Sequence, residues 1–94
     1  MVERDPGTGH LRLLGELDFV AVPAMRAELA LRMDTPGPHT VDLSALKLLA
    51  PGGASLLDEL LEDGVRLRCA TGSPAYETLM ALELLDRVET VPAD

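Results

Sequence analysis

Hydrophobic residues recur along this chain with two different periods, and the places where the period changes predict its secondary structure. Alternation at every second position is typical of strands that are buried on one face. Strand character is found in residues 11–14 running into GELD at 15–18, in residues 40–44, in residues 65–69 and in residues 88–91. Turn signals rich in glycine and proline separate these segments, as in DTPGP at 34–38 and TGSP at 71–74.

Helical spacing fills the segments between the later strands. The first predicted helix carries apolar residues three or four positions apart, at Val22, Met25, Leu29 and Met33. Another helix is predicted to begin at Ser73-Pro74, an N-cap followed by a proline at the first helical position. We expect this helix to bury Leu79 and Leu82.

The remaining helix is the most amphipathic. Its apolar stripe consists of Leu56, Leu57, Leu60 and Leu61. Its opposite face is acidic, with Asp58, Glu59, Glu62 and Asp63. Gly64 follows where a helix C-cap is expected. The predicted order of elements is β-β-α-β-α-β-α-β. Because strands that are joined through helices need right-handed crossovers, much of the sheet should be parallel. We therefore expect a single α/β domain over residues 1–94.

Charge and composition narrow the classes of function. The chain has 16 acidic and 8 basic side chains, which gives a net charge of −8. Such a surface repels nucleic acid. Its charge indicates either a protein partner with a basic surface or simply a soluble protein. No apolar run approaches the ~20 residues that span a bilayer, and no signal leader is recognised. Cys69 is the only cysteine, which fits a reducing compartment. We expect a cytoplasmic protein with no membrane insertion.

The segment LLAPGGASLL at 48–57 raises the question of chemistry, because a proline and two glycines stand where a strand gives way to a helix. Helix starts bind phosphate, yet the lysine of a P-loop and the three spaced glycines of a dinucleotide fingerprint are both missing. Ser55 has no histidine near it in sequence, and the two histidines and one cysteine show no spacing typical of metal ligands. The residues alone favour a structural interpretation. In it, Pro51 starts the helix, and the glycines allow another backbone segment or a partner to approach closely.

Three short motifs, with their order along the chain, resemble the STAS domain, the fold of bacterial anti-sigma factor antagonists. GELD at 15–18 is similar to that family's second strand and its step into the first helix. VDLS at 41–44 resembles the family's central strand. LLDRV at 84–88 resembles the family's closing motif G-L-D-R-V, with Leu84 in place of the usual glycine. With the predicted order, the resemblance implies a mixed sheet of four to five strands with helices mostly on one face.

The resemblance also implies a role for APGG. In such antagonists the central strand leads to D-S-S-G at a helix start, and a partner kinase phosphorylates the second serine. Those four places fall on Ala50, Pro51, Gly52 and Gly53, so only the last glycine is kept. A phosphate there would add about −1.5 to −2 charge and switch binding off, but Gly52 has no hydroxyl to carry it. Ser55 is the nearest substitute acceptor.

These observations predict a non-enzymatic protein-binding module with no cofactor and no metal. By resemblance the partner is an anti-sigma factor or a serine kinase of the partner-switching type. The predicted contact surface is Ala50–Gly53, bordered by Asp18 and Phe19, with Asp58 and Glu62 at its rim. Phe19 is either an exposed anchor or a cap on the core, and the scarcity of aromatic residues favours the cap.

Two other functions stay open at this point. One is a STAS subunit of a larger assembly, such as a lipid-transport ATPase complex. The other is a domain that binds a small molecule or nucleotide beside APGG.

Overall fold

The computed structural model describes residues 1–35 and 37–93. Its strands are β1 (Val2–Arg4), β2 (Leu11–Leu13), β3 (Gly15–Leu17), β4 (Thr40–Asp42), β5 (Leu46–Leu49), β6 (Arg66–Ala70) and β7 (Glu89–Val91). Its α-helices are α1 (Val22–Arg32), α2 (Ala54–Glu62) and α3 (Pro74–Ala81). Short 3-10 turns cover Pro51–Gly53 and Leu85–Arg87.

The main sheet has five strands in the order β1-β2-β4-β6-β7. β1 is antiparallel to β2, and the other neighbours are parallel. The predicted mixed sheet and its alternation with helices are confirmed. The parallel pairs follow from the helical crossovers, since a chain that returns through a helix re-enters the sheet in the same direction.

A second, two-stranded sheet pairs β3 with β5 in parallel, which the sequence did not predict. Gly15 adopts a φ of 92°, and this left-handed conformation separates β3 from β2 after only one intervening residue. β5 escaped prediction because Lys47 and Leu48 are both exposed, so its four residues lack the alternation that identifies a half-buried strand.

The core lies between the main sheet and the helices, and it is aliphatic. Strand residues such as Leu13, Val41 and Leu67 are buried together with Leu29 of α1 and Leu57 of α2. Among the described residues, every buried one is apolar, cysteine and alanine included. The helices pack mostly on this face, as predicted.

A row of aligned charged residues, one from each strand, crosses the opposite face of the main sheet. The aligned residues are Glu3, Arg12, Asp42, Arg68 and Glu89. Their signs alternate across the sheet. Arg12 forms an ion pair with Glu3, and Arg68 Nε lies 3.7 Å from Asp42 Oδ2. Opposite charges on neighbouring strands stabilise the pairing, and they keep this face polar where no helix covers it.

The ends of α2 and α3 agree with the sequence signals, whereas the predicted burial of one residue after α3 does not. Ser73 Oγ accepts a hydrogen bond from Tyr76 N at 3.2 Å, and Gly64 has a φ of 83° directly after the C-cap of α2. Leu82, however, is 36% exposed, because α3 ends at Ala81 and places its buried side on Ala75 and Leu79. The prediction that Leu82 is buried was wrong.

The longest described helix has 11 residues, and none in residues 1–35 and 37–93 has the length and apolar character needed to cross a membrane.

Candidate functional site

The APGG segment forms the junction between β5 and α2. Ala50 is extended, with φ −82° and ψ 153°, and Pro51 then begins a 3-10 turn that runs directly into α2 at Ala54. The Gly53 amide donates to the Ala50 carbonyl at 2.9 Å, closing the turn. Pro51 does start a helical turn, as the sequence indicated, but that turn is 3-10, and α2 itself begins three residues later, at Ala54.

The pairing of β3 with β5 brings the GELD segment alongside this turn. Leu17 is aligned with Leu49, and the Ala50 amide continues the ladder by donating to the Leu17 carbonyl at 2.9 Å. A β-carbon at position 53 would lie 2.5 Å from the Leu17 carbonyl oxygen. Backbone atoms cannot move aside as a flexible side chain does, so position 53 requires glycine. Packing against Leu17 therefore explains why Gly53, the one position that matches D-S-S-G, is a glycine.

Gly52 lies against Phe19 in the same junction. A β-carbon at position 52 would stand 3.0 Å from the Phe19 β-carbon and 3.5 Å from its backbone nitrogen. Gly52 is exposed, so a side chain there has room outward, but Phe19 would have to move by a few tenths of an ångström. The 3-10 turn and the segment after β3 thus form one continuous surface.

Phe19 does not cap the core. Its side chain is 78% exposed and that of Val20 is 82% exposed, so the interpretation favoured from the sequence was wrong. The reason is local: Leu17 and Val22 occupy the buried positions on either side, and the turn between them directs residues 19 and 20 to solvent. Two adjacent apolar side chains are exposed beside Gly52.

Asp18 holds that turn in place. Its Oδ1 accepts a hydrogen bond from the Ala21 amide at 2.8 Å, and its carbonyl accepts from the same amide at 3.2 Å. Ala21 is the residue before α1, so Asp18 fixes the entry of the chain into that helix. The predicted contact residue Asp18 therefore has a structural role beside Phe19.

The acidic face of α2 begins one turn after APGG. Asp58 and Glu62 are exposed, as predicted. Asp58 Oδ1 lies 3.5 Å from Arg87 Nη1, which partly offsets its charge. Glu59 accepts two hydrogen bonds from Arg26 of α1, at 2.7 and 3.2 Å, and these bonds lower the pKa of Glu59 and raise that of Arg26. Ser55 is exposed in the first turn of α2.

Two further hydroxyl groups stabilise the fold, and the one thiol is buried in the core. Ser44 Oγ accepts from the Ala70 amide at 2.7 Å, and Thr71 Oγ1 donates to the Val91 carbonyl at 3.2 Å. Cys69 is fully buried, and its burial, followed by the negative charge of Asp42, raises the pKa of its thiol. In the part of the chain that the structure describes, no three His, Cys, Asp or Glu residues are grouped as metal ligands would be.

Two features of the surface were missed from the sequence. Val20 joins Phe19 in the exposed pair, and the only signal for it was its place between the last buried residue of β3 and the first of α1. Three arginines, at positions 66, 68 and 87, line one cavity. Their alternation in β6 was visible, but the chain fold was needed to bring Arg87 to them.

Comparison of the chain with protein-family models and with curated proteins finds no match. Membership of a family therefore stays a prediction from the three motifs and their order.

Proposed function

We propose that this chain is a non-enzymatic, cytoplasmic protein-binding module of the STAS type, related in role to anti-sigma factor antagonists. Its partner is an anti-sigma factor or a serine kinase of the partner-switching class. Binding at its helix start is not switched by phosphorylation, because Gly52 occupies the place of the acceptor serine. The proposal is supported by the mixed five-stranded sheet and its alternation with three helices, which the motif resemblance implied, although β1 and β5 are additional strands.

The observation that carries the proposal is the contact between Gly52 and Phe19. Through this contact, the helix start at Gly52, which has no hydroxyl group, lies beside Phe19. Phe19 and its neighbour Val20 are two adjacent exposed apolar side chains. Large exposed apolar side chains of this kind are typical anchors in protein interfaces, where they gain the free energy of burial. The turn beneath them is fixed by Asp18 and by the ladder to Ala50, so little conformational freedom is lost on binding.

The acidic face of α2 supports a partner with a basic surface. Asp58 and Glu62 lie on the helix that begins at the APGG junction, and both are exposed. Opposite charges at an interface rim increase the rate of association more than the final affinity. The apolar pair would then supply the affinity and the acidic face the attraction at a distance.

The proposal is tested by binding with a matched pair of variants. Phe19→Ala removes the exposed aromatic ring, whereas Leu31→Ala removes a leucine that is 80% exposed on α1. Proteins captured from the source cell extract are identified, and the dissociation constant of the purified partner is measured for each variant. We expect a sigma regulator whose affinity falls at least ~10-fold with Phe19→Ala and is unchanged with Leu31→Ala.

Other outcomes contradict the proposal in different ways. Capture of a transport ATPase by the same surface would favour a subunit of a larger assembly. Equal affinities for Phe19→Ala and the natural chain would remove the apolar pair from the interface. Phosphate on the natural chain after incubation with the partner and ATP would contradict binding without a switch.

A further inference from the structure

A cavity of about 540 Å³ lies at the amino-terminal edge of the parallel strands. Thr40, Arg66 and Glu89 border it, and they are the first residues of β4, β6 and β7. None of its lining residues belongs to the APGG junction or to the exposed pair at Phe19 and Val20. The cavity is therefore separate from the APGG junction and the exposed pair, and the Asp58–Arg87 ion pair connects it to the acidic rim.

The lining of this cavity is basic, although the protein is acidic. Arg66, Arg68 and Arg87 line it, which is three of the seven arginines in a chain of net charge −8. His10, one of the two histidines, lines it as well, and Glu89 is the acidic residue among the lining groups. Arg68 and Arg87 lie beside Asp42 and Asp58, so Arg66 supplies the positive charge that is not already held in an ion pair of the described residues and can attract an anion.

The neighbours of two of these arginines hold them in place. Arg68 Nε is 3.7 Å from Asp42 Oδ2, and Arg68 Nη1 is 3.3 Å from His10 Nδ1. Because a guanidinium only donates, His10 Nδ1 accepts, which leaves the proton of a neutral imidazole on Nε2 as a further donor. Arg87 is held at 3.5 Å by Asp58.

Donors remain without a protein acceptor around the cavity. The Nε atom of Arg68 is buried next to Asp42 and is out of reach of a ligand, so the accessible donors are those of Arg66. Arg66 is exposed and makes no ion pair within residues 1–35 and 37–93. A multivalent anion would therefore gain charge-assisted hydrogen bonds without first breaking an ion pair of Arg66.

The cavity also has an apolar wall whose accessible side chain is the half-buried Leu61, since Val65 and Leu67, which line it as well, are buried. We propose that it binds a small phosphorylated organic molecule, with the phosphate on Arg66 and the organic part on this wall. A phosphate dianion offers more oxygens to a guanidinium group than a single carboxylate does. The volume falls in the range of small-molecule sites, which is roughly 300–1,000 Å³.

The test is an amide NMR titration of the isotope-labelled protein with inorganic phosphate, a hexose phosphate and a nucleoside monophosphate. We expect saturable shifts at the amides of residues 65–68 and 87–89, with an organic phosphate binding more tightly than inorganic phosphate. Arg66→Gln should weaken that binding at least ~10-fold, since it removes charge-assisted donors. Arg32→Gln, an equal charge change at an exposed arginine outside the cavity, should leave it unchanged.

Thermal unfolding of both variants checks that they are folded. Equal weakening by Arg66→Gln and Arg32→Gln would show that the anions respond to net charge alone and would overturn the site. Shifts that do not saturate, or that spread over the surface, overturn it as well. Binding of inorganic phosphate as tight as that of both organic phosphates would remove the apolar wall from the site and contradict the proposed ligand class.

Discussion

A β-carbon on Gly53 would stand 2.5 Å from the carbonyl oxygen of Leu17 and 2.8 Å from the carbonyl carbon. That oxygen already accepts the hydrogen bond from the Ala50 amide, so the carbonyl is fixed in the β3–β5 ladder. The start of α2 is thus held against β3 by a contact that only a glycine can make. At position 52 the nearest atom is instead the Phe19 β-carbon, at 3.0 Å, on the solvent side of the junction.

We predict that Gly53→Ala destabilises the protein by about 1–3 kcal/mol, because the added methyl group forces a backbone shift. Gly52→Ala should cost clearly less, since its neighbour Phe19 lies on an exposed turn and can move. Urea unfolding of the two variants and the natural chain measures the difference. Equal losses for the two would contradict the packing explanation for the kept glycine.

The main elements could be predicted from the sequence because each is buried on one face. Leu13, Val41 and Leu67 sit at alternate positions of strands, and the leucines of α2 recur at helical spacing, so the pattern and the fold agree. β1 and β5 were missed because their apolar and polar residues do not alternate: β1 buries Val2 alone, and the two middle residues of β5 are both exposed. Two helix starts were predicted from a proline: Pro74 begins α3, and Pro51 begins the 3-10 turn that leads into α2.

The candidate site was predicted less completely. Placing Asp18, Phe19 and APGG on one surface depended on resemblance, and the β3–β5 pairing now supplies the contact between them. The exposure of Phe19 was not predictable, because scarcity of aromatic residues says nothing about the direction in which a turn projects its side chain. The arginine-lined cavity depends on Arg87, which lies 19 residues after Arg68 and is brought to it only by the crossover through α3.

A second prediction concerns the acidic face of α2. Replacing Asp58 and Glu62 by lysine should slow association with a basic partner and flatten its dependence on salt, because the attraction at a distance is removed. Stability should change by no more than ~0.5 kcal/mol, since both side chains are exposed and the Asp58–Arg87 pair is at the surface. Stopped-flow association rates over a range of salt concentrations provide the measurement.

The matched control for this charge change is Glu16→Lys with Glu77→Lys, two exposed acidic residues outside α2. It alters the net charge equally and should slow association much less. If the control slows association as much as the α2 variant, overall charge rather than this face attracts the partner.

A third prediction follows from Cys69. Burial, and then the charge of Asp42, raises the pKa of its thiol in the folded state. The unfolded chain therefore loses this proton at a lower pH than the folded protein does. The stability it contributes is complete below the unfolded pKa, which is about 8.5, and is lost as pH rises above it toward the folded pKa.

Unfolding free energies measured between pH 7 and pH 10 should fall with pH for the natural chain, and fall less steeply for Cys69→Ala. The comparison between the two isolates the thiol from lysine and tyrosine, which titrate in the same way in both proteins. A thiol reagent should label Cys69 only at the rate of opening, because the side chain is fully buried. Identical slopes for the two proteins would show that the thiol titrates alike in both states.

The last prediction tests whether the chemistry at the helix start has been lost and can be restored. Ala50→Asp, Pro51→Ser and Gly52→Ser rebuild the acidic residue and the acceptor hydroxyl on the 3-10 turn. With ATP and a kinase-type partner, the natural chain should gain no phosphate, whereas the rebuilt chain should gain one and lose affinity, since a phosphate adds about −1.5 to −2 charge beside the exposed Phe19. Intact-mass measurement before and after incubation counts the phosphates.

The control keeps everything except the acceptor hydroxyl: Ala50→Asp, Pro51→Ser and Gly52→Ala. Both triple variants place a β-carbon 3.0 Å from that of Phe19, so they share whatever adjustment of the turn this contact requires. A loss of affinity in both without ATP would come from that adjustment, while a loss that needs ATP and appears only in the variant with Gly52→Ser would come from the phosphate. Phosphate on the natural chain, with Ser55 exposed in the first turn of α2 as the nearest acceptor, would contradict the proposal that this protein binds without a switch.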